Sequence, residues 1–294
     1  MAAMVTPANL VAALLTLAPF LTVAFFPRWA VGRVRSLPVW AQLLSPAALC
    51  VPYLIVAVAG GIFRWYWFSL YALLPVAIAS LLWQAGRADK EQHGNWRDFL
   101  VLATLGLAVD LRWFESAWPA HLAIFNKVLL LDAGIYSFIA LRQLEGTGFD
   151  LRLRLRDAAI GLRELALYIP IGLVLGLSLG FLHLHAKWPG LAMIGGAWVF
   201  TFLFIAAPEE LFFRGWLQNL LERRIGRTAA LFLTAILFGL AHFNKRAVYF
   251  NWRYVLLAAV AGVFYGRAWR SQRRVGASAI THASVDAIWS LWLR

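Results

Sequence analysis

The chain has 294 residues, of which 62% are hydrophobic and only 14% charged, and its mean hydropathy is +0.71. No soluble domain of this size carries that balance, so the composition points to a polytopic membrane protein. The formal net charge of +13 does not indicate a nucleic-acid partner, because the basic residues punctuate the apolar runs instead of gathering on one face.

Apolar runs of about 20 residues suit helices and are too long for barrel strands, so the expected fold is all-α, a bundle of about ten transmembrane helices. In chain order the apolar segments cover approximately 8–26, 39–63, 65–84, 99–117, 121–141, 163–183, 190–220, 228–243, 253–269 and 275–293. The first begins without a basic stretch before it and without a small-residue cleavage site, and reads as a retained membrane helix. Trp29, Trp40, Trp65, Trp67 and Trp118 fit interfacial belts. The one cysteine, Cys50, excludes an internal disulfide and a cysteine-based metal site, and is expected to pack. The fourth and fifth segments carry Asp110, Arg112, Lys127 and Asp132, for which packing roles are expected. The seventh is longer than a simple span.

A basic stretch, Arg142–Arg163, divides the chain. Residues 1–141 then form an N-terminal set of helices with no readable role, 142–162 a basic cytoplasmic linker, and 163–294 a core that holds the chemistry. Within the linker, LRLRLR at Leu151–Arg156 alternates like a strand. Beside a membrane it reads instead as an interfacial segment against anionic headgroups. Counting Lys and Arg on alternate sides of the ten segments gives eighteen against six, which places the richer side in the cytoplasm and both termini outside. The poorer side holds Arg64, Lys187, Lys245, Arg246, Arg253 and Arg294.

Three polar constellations fall in the core. Glu209 and Glu210 sit in Phe200–Gln218, FTFLFIAAPEELFFRGWLQ, with Arg214 four residues after Glu210. That spacing lets Glu210 and Arg214 pair on one helix face, while Glu209 is rotated roughly 100° away. Phe238 and His242 follow in LFGLAHF, and His282 and Asp286 in THASVDA, each pair again at i,i+4. Ionisable groups within a membrane are costly and mark functional sites by default. Arg223, Arg224 and Arg227 mark a turn midway between positions 209 and 242. In an antiparallel hairpin both side chains then lie on the order of 20–25 Å along their helices from that turn. His282 and Asp286 enter from the same side, after Arg273 and Arg274. Taken singly, Glu210–Arg214 reads as a buried ion pair, His242 as a core histidine and His282–Asp286 as an oriented pair. Together, at one depth, they suit the activation of a water molecule. His183 and His185 are expected in the interface.

In this order, Glu209-Glu210-x-x-x-Arg214, Phe238-x-x-x-His242 and His282-x-x-x-Asp286 resemble the motif series of the CAAX protease and bacteriocin-processing family of glutamic intramembrane proteases. Ala259–Asp286 also resembles that family's glycine-bearing helix, basic turn and final histidine helix, and the likeness covers about residues 163–294. The resemblance implies a peptide hydrolase with no cofactor and no metal. Glu209 would be the general base, with His242 assisting; Glu210 would support the site, paired with Arg214. His282 and the residue at 286 would stabilise an oxyanion. Much of the family has Asn there; an ionised Asp286 cannot donate and would instead orient or charge His282.

The expected partners are a peptide or protein substrate at the membrane and the lipid bilayer, with the oligomeric state unread. The expected location is a bacterial cytoplasmic membrane, with the site opening toward the cytoplasm. Two other readings stay open. Glu209, His242 and His282 match the His₂Glu ligand set of a zinc hydrolase, although no His-Glu-x-x-His motif is present. Ten spans with charges at mid-depth also suit a non-catalytic transporter or scaffold.

Overall fold

The computed structural model describes residues 6–185, 188–245 and 249–293. Lys187, Arg246 and Arg294 of the charge count lie outside them. Every regular element among the described residues is helical, which meets the need of an apolar chain to satisfy its backbone polar groups internally. The chain divides into two compact units, Met1–Glu145 and Gly146–Arg294.

The first unit holds α1 (Pro7–Phe25), α2 (Pro27–Arg35), α3 (Val39–Ala59), α4 (Trp65–Ala88), α5 (Trp96–Asp110) and α6 (Ala120–Leu141). The second holds α7 (Leu155–Ser178), α8 (Leu191–Ile225), α9 (Arg227–Leu240), α10 (Trp252–Gln272) and α11 (Val275–Trp292). Six of these helices are long and apolar enough to cross a membrane: α1, α3, α4, α6, α7 and α8. The expected count of ten is therefore not upheld. Segments 99–117 and 228–243 overlap α5 and α9, of only 15 and 14 residues. Segments 253–269 and 275–293 form α10 and α11, which are long enough but too polar. The physical reason is visible in α11. All its residues from Val275 to Ser284 are buried against protein, so neighbouring helices rather than lipid surround it and small or polar side chains are tolerated.

In the first unit, Trp29, Trp40 and Trp65 are exposed, as an interfacial role requires. Trp118 is not: it is buried, and its Nε1–H donates to the Tyr71 hydroxyl at 2.7 Å. Cys50 is buried, in line with packing. Arg142, placed in the linker by its charge, is buried between two aspartates. Its Nε donates to Asp98 Oδ1 at 3.0 Å and its Nη2 to Asp89 Oδ2 at 2.6 Å. Asp98 also accepts from the Asn95 backbone N–H, closing a capping box at the start of α5. Removing one partner of such a buried pair costs about 3–5 kcal/mol, because a charge is left uncompensated.

Residues 146–154 pack into the second unit and form no strand. Gly148 has φ of +69°, and a side chain there would collide with the backbone of Arg273 and Arg274; its carbonyl accepts the Val275 N–H at 2.9 Å. Arg274 reaches from this corner to Asp157 at 2.8 Å. The start of α11 is thereby tied to the start of α7, so the basic segment anchors the core. At the other corner Gly226, with φ of +80°, lets α8 turn directly into α9, since that backbone region is open mainly to glycine.

Candidate active site

The 35-residue α8 is longer than a bilayer core needs and is not uniform. It loosens into π-helix over Phe202–Ala206, tightens to α-helix over Ala207–Glu210, and loosens again over Leu211–Gln218. Pro208 helps explain the first change, because it lacks a backbone N–H and crowds the preceding turn. Such π segments occur frequently at functional sites. Glu209 and Glu210 sit on the short α-helical step between the two.

The two glutamates face different surroundings. Glu210 is fully buried. Its Oε2 lies 3.1 Å from Arg214 Nε, and its Oε1 lies 2.9 Å from His282 Nδ1. Arg214 is also fully buried, donates from Nη2 to the Gly262 carbonyl at 3.0 Å, and stacks its guanidinium 4.8 Å from the Phe238 ring centre. The charges are thus paired and aromatic-flanked, which offsets much of their desolvation. Glu209 is partly open. Its Oε1 lies 3.9 Å from Lys245 Nζ and its Oε2 3.9 Å from His282 Nε2. Asp286 Oδ2 approaches the same His282 Nε2 at 3.6 Å. His282 therefore meets Glu210 on one nitrogen and Glu209 and Asp286 on the other.

His242 follows the end of α9. Its Nδ1 lies 2.8 Å from the Phe238 carbonyl. A carbonyl only accepts, so Nδ1 carries the proton and Nε2 keeps its lone pair. Glu209 is close enough to this ring to act on it electrostatically. Aromatic rings hold both histidines: Tyr265 stacks on His282 at 4.6 Å and 12°, and Tyr254 packs on His242 at 4.8 Å. Phe238 touches both rings.

His242, His282 and Asp286 form the polar part of a cleft of about 110 Å³, whose remaining wall includes Tyr168, Tyr254 and Trp289. The cleft runs toward Phe181 and Leu293, along the later parts of α7 and α11. These lie away from the end of the unit that carries Arg273 and Arg274. The reading from sequence puts access on the basic side; the lining residues extend the other way.

All six sequence candidates, Glu209, Glu210, Arg214, His242, His282 and Asp286, lie in this one region. The local pairs Glu210–Arg214 and His282–Asp286 form as their spacing predicts. The link from Glu210 to His282 joins residues far apart in sequence and carries no local signal. The same holds for Tyr265, Tyr254 and the Gly262 carbonyl. Lys245, three residues after His242, is assigned by sequence only to an outer loop. The zinc alternative needs Glu209, His242 and His282 to converge as ligands; among the described residues no three His, Cys, Asp or Glu side chains gather in that way.

Residues 191–288 match the family model described as Type II CAAX prenyl endopeptidase Rce1-like. The match bears out the family resemblance read from the motifs. It spans about a third of the chain and includes all six candidates, while α1–α7 lie outside it. Comparison with curated proteins found no match, and comparison with solved structures found none. Together with the apolar helices, the family points to an integral membrane endopeptidase of the CAAX type.

Proposed function

We propose that the C-terminal unit hydrolyses a peptide bond of a membrane-associated peptide or protein terminus, using water activated by Glu209. The observation that carries this reading is the meeting of three carboxylates on His282, at 2.9, 3.6 and 3.9 Å, beside an apolar cleft. Each carboxylate has a different task. Glu210 is occupied by Arg214 and fixes the imidazole through Nδ1. Asp286 accepts only and biases the other side of the ring. Glu209 and Asp286 both keep part of their side chains exposed, and Glu209, which the family resemblance makes the general base, is the one that takes the proton.

In the reaction, Glu209 removes a proton from water while the water oxygen attacks the scissile carbonyl carbon. The Nε2 lone pair of His242 accepts from the second hydrogen of that water and orients it. The carbonyl oxygen gains negative charge and receives a hydrogen bond from His282 Nε2–H, whose other N–H is held by Glu210. A donor aimed at a developing oxyanion in a dry site is worth roughly 10²–10³ in rate. The tetrahedral intermediate then expels the amine, which takes the proton from Glu209. Tyr168, Tyr254 and Trp289 favour apolar side chains or a lipid-modified terminus in the cleft.

The Glu209→Gln variant tests the assignment. The full chain carrying it is expected to retain bound peptides, identifiable by mass spectrometry, that the wild type cuts and releases. Unimpaired cleavage by the variant contradicts the role given to Glu209.

A further inference from the structure

The loop after α4 is built around Asp89. Its Oδ1 accepts the His93 N–H at 3.0 Å, and its Oδ2 accepts the Gly94 N–H at 2.8 Å and Arg142 Nη2 at 2.6 Å. Gln92 fastens this loop to the chain after α6. Its Nε2 donates to the Gln143 carbonyl at 3.1 Å, and its Oε1 accepts the Glu145 N–H at 2.8 Å. Between the ends of α4 and α6 the frame leaves a cleft of about 300 Å³, whose walls include Trp83, Arg87, Asp89, Lys90, Arg142 and Gln143.

Three of these side chains are basic and one is acidic. Asp89 is already paired with Arg142, which also donates to Asp98 Oδ1 at 3.0 Å and to the Asp89 carbonyl at 3.2 Å. Arg87 and Lys90 are exposed, and among the described residues neither pairs with a carboxylate. Glu91, the acid beside them in sequence, lies against His93 at 3.4 Å. The Arg87 guanidinium stacks 4.7 Å from the Trp83 ring centre. Stacking occupies the face of that group and leaves its N–H edge for an anion. The cleft therefore presents two positive charges that the described residues do not balance.

We propose that this cleft binds the phosphate of an anionic phospholipid headgroup. It lies at the end of α4, a helix long and apolar enough to cross a membrane, and Arg87 is in the last turn of that helix. Such an end meets the membrane surface, where headgroup phosphates lie and where a tryptophan such as Trp83 is favoured. Arg87 presents its fork to two phosphate oxygens, and Lys90 adds a point charge. The headgroup is one without a cation of its own, because a choline or ethanolamine would be pushed against charges of the same sign. The site belongs to the first unit and does not depend on the peptidase reading.

The test titrates the purified full chain in a nonionic detergent with dioleoyl phosphatidylglycerol, and in parallel with dioleoyl phosphatidylcholine, and follows bound lipid by native mass spectrometry. Wild type is expected to bind phosphatidylglycerol saturably and about tenfold more tightly than phosphatidylcholine, since each basic residue near a headgroup is worth about fivefold. The double variant Arg87→Gln/Lys90→Gln should weaken that binding about thirtyfold. Arg154→Gln/Arg156→Gln, which removes two exposed arginines of the second unit, should leave it unchanged. Lys90→Gln alone, expected to lose about fivefold, decides the matter if the double variant fails to fold. Equal affinity for the two lipids overturns the proposal, as does phosphatidylglycerol binding that is unchanged in the double variant or in Lys90→Gln. An equal loss in Arg154→Gln/Arg156→Gln overturns it too, because attraction to the overall charge of the chain then accounts for the binding. Displacement of phosphatidylglycerol from the wild type by equimolar inorganic phosphate reassigns the cleft to a soluble anion and overturns the lipid.

Discussion

Each unit buries an arginine among carboxylates, and the two clusters are built to different ends. Around Arg142 the acids are fully engaged. Asp98 accepts from Arg142 and from the Asn95 N–H, and Asp89 accepts from Arg142 and from the N–H groups of His93 and Gly94. Among the described residues no histidine ring joins, and the cluster ends in a helix cap. Around Arg214 the acids are only partly engaged. Glu210 lies 3.1 Å from Arg214 Nε without hydrogen-bond alignment, and it passes its other oxygen to a histidine that faces a cleft. A saturated cluster stabilises. An incompletely saturated one beside a cavity keeps proton-transfer capacity for a substrate, at some expense in stability.

The comparison breaks most sharply at Arg142. Arg142→Met leaves Asp98 buried without its cation and is expected to cost about 3–5 kcal/mol of stability. Peptidase activity per folded molecule should not change; denaturant melts beside active-site-normalised rates check this. The next effect is at His282. His282→Gln should lower the cleavage rate roughly 10²–10³-fold through loss of the oxyanion donor, with a smaller loss of thermal stability than Arg142→Met. A reversed order of these two stability losses would remove the distinction between the clusters. Lys245→Met is expected to lower the cleavage rate severalfold, because it removes the ammonium 3.9 Å from Glu209. An unchanged rate would limit Lys245 to the loop.

The smallest effect lies outside both clusters, at Asp150. The hydrogen bond from the Arg152 side chain, above all, pulls its carboxyl down from 3.8 to about 2. A depressed folded-state value stabilises above the unfolded value and is lost as pH falls through the folded one. Asp150→Asn should therefore be slightly less stable than wild type at neutral pH. The gap should narrow from about pH 4 toward pH 2, measurable as converging unfolding midpoints.

Much of the site was legible because its pairs are local. Glu210–Arg214 and His282–Asp286 follow from helical spacing, and the level of Glu209 with His242 follows from a turn marked by Arg223, Arg224 and Arg227. What closes the site was not legible. The Glu210–His282 bond and the stacking of Tyr265 join separate helices, and no period encodes them. The helix count was not upheld for a related reason. Hydropathy assumes that lipid surrounds a span, whereas α11 is wrapped by protein along its first half. Trp118 and Arg142 misled in the same way, since an amphipathic or charged residue at a helix end reads as interfacial until its buried partner is known.

The central claim is that Glu209, and not a bound metal, activates the water. It is tested most directly by following cleavage of an internally quenched farnesylated CAAX-box peptide by the purified full chain, with wild type and Glu209→Gln each assayed with and without a strong chelator. The account predicts that the wild type cleaves equally well in both conditions, while Glu209→Gln loses on the order of 10²–10⁴-fold in rate at unchanged thermal stability. Cleavage by Glu209→Gln at the wild-type rate, or its abolition in the wild type by the chelator, would contradict it.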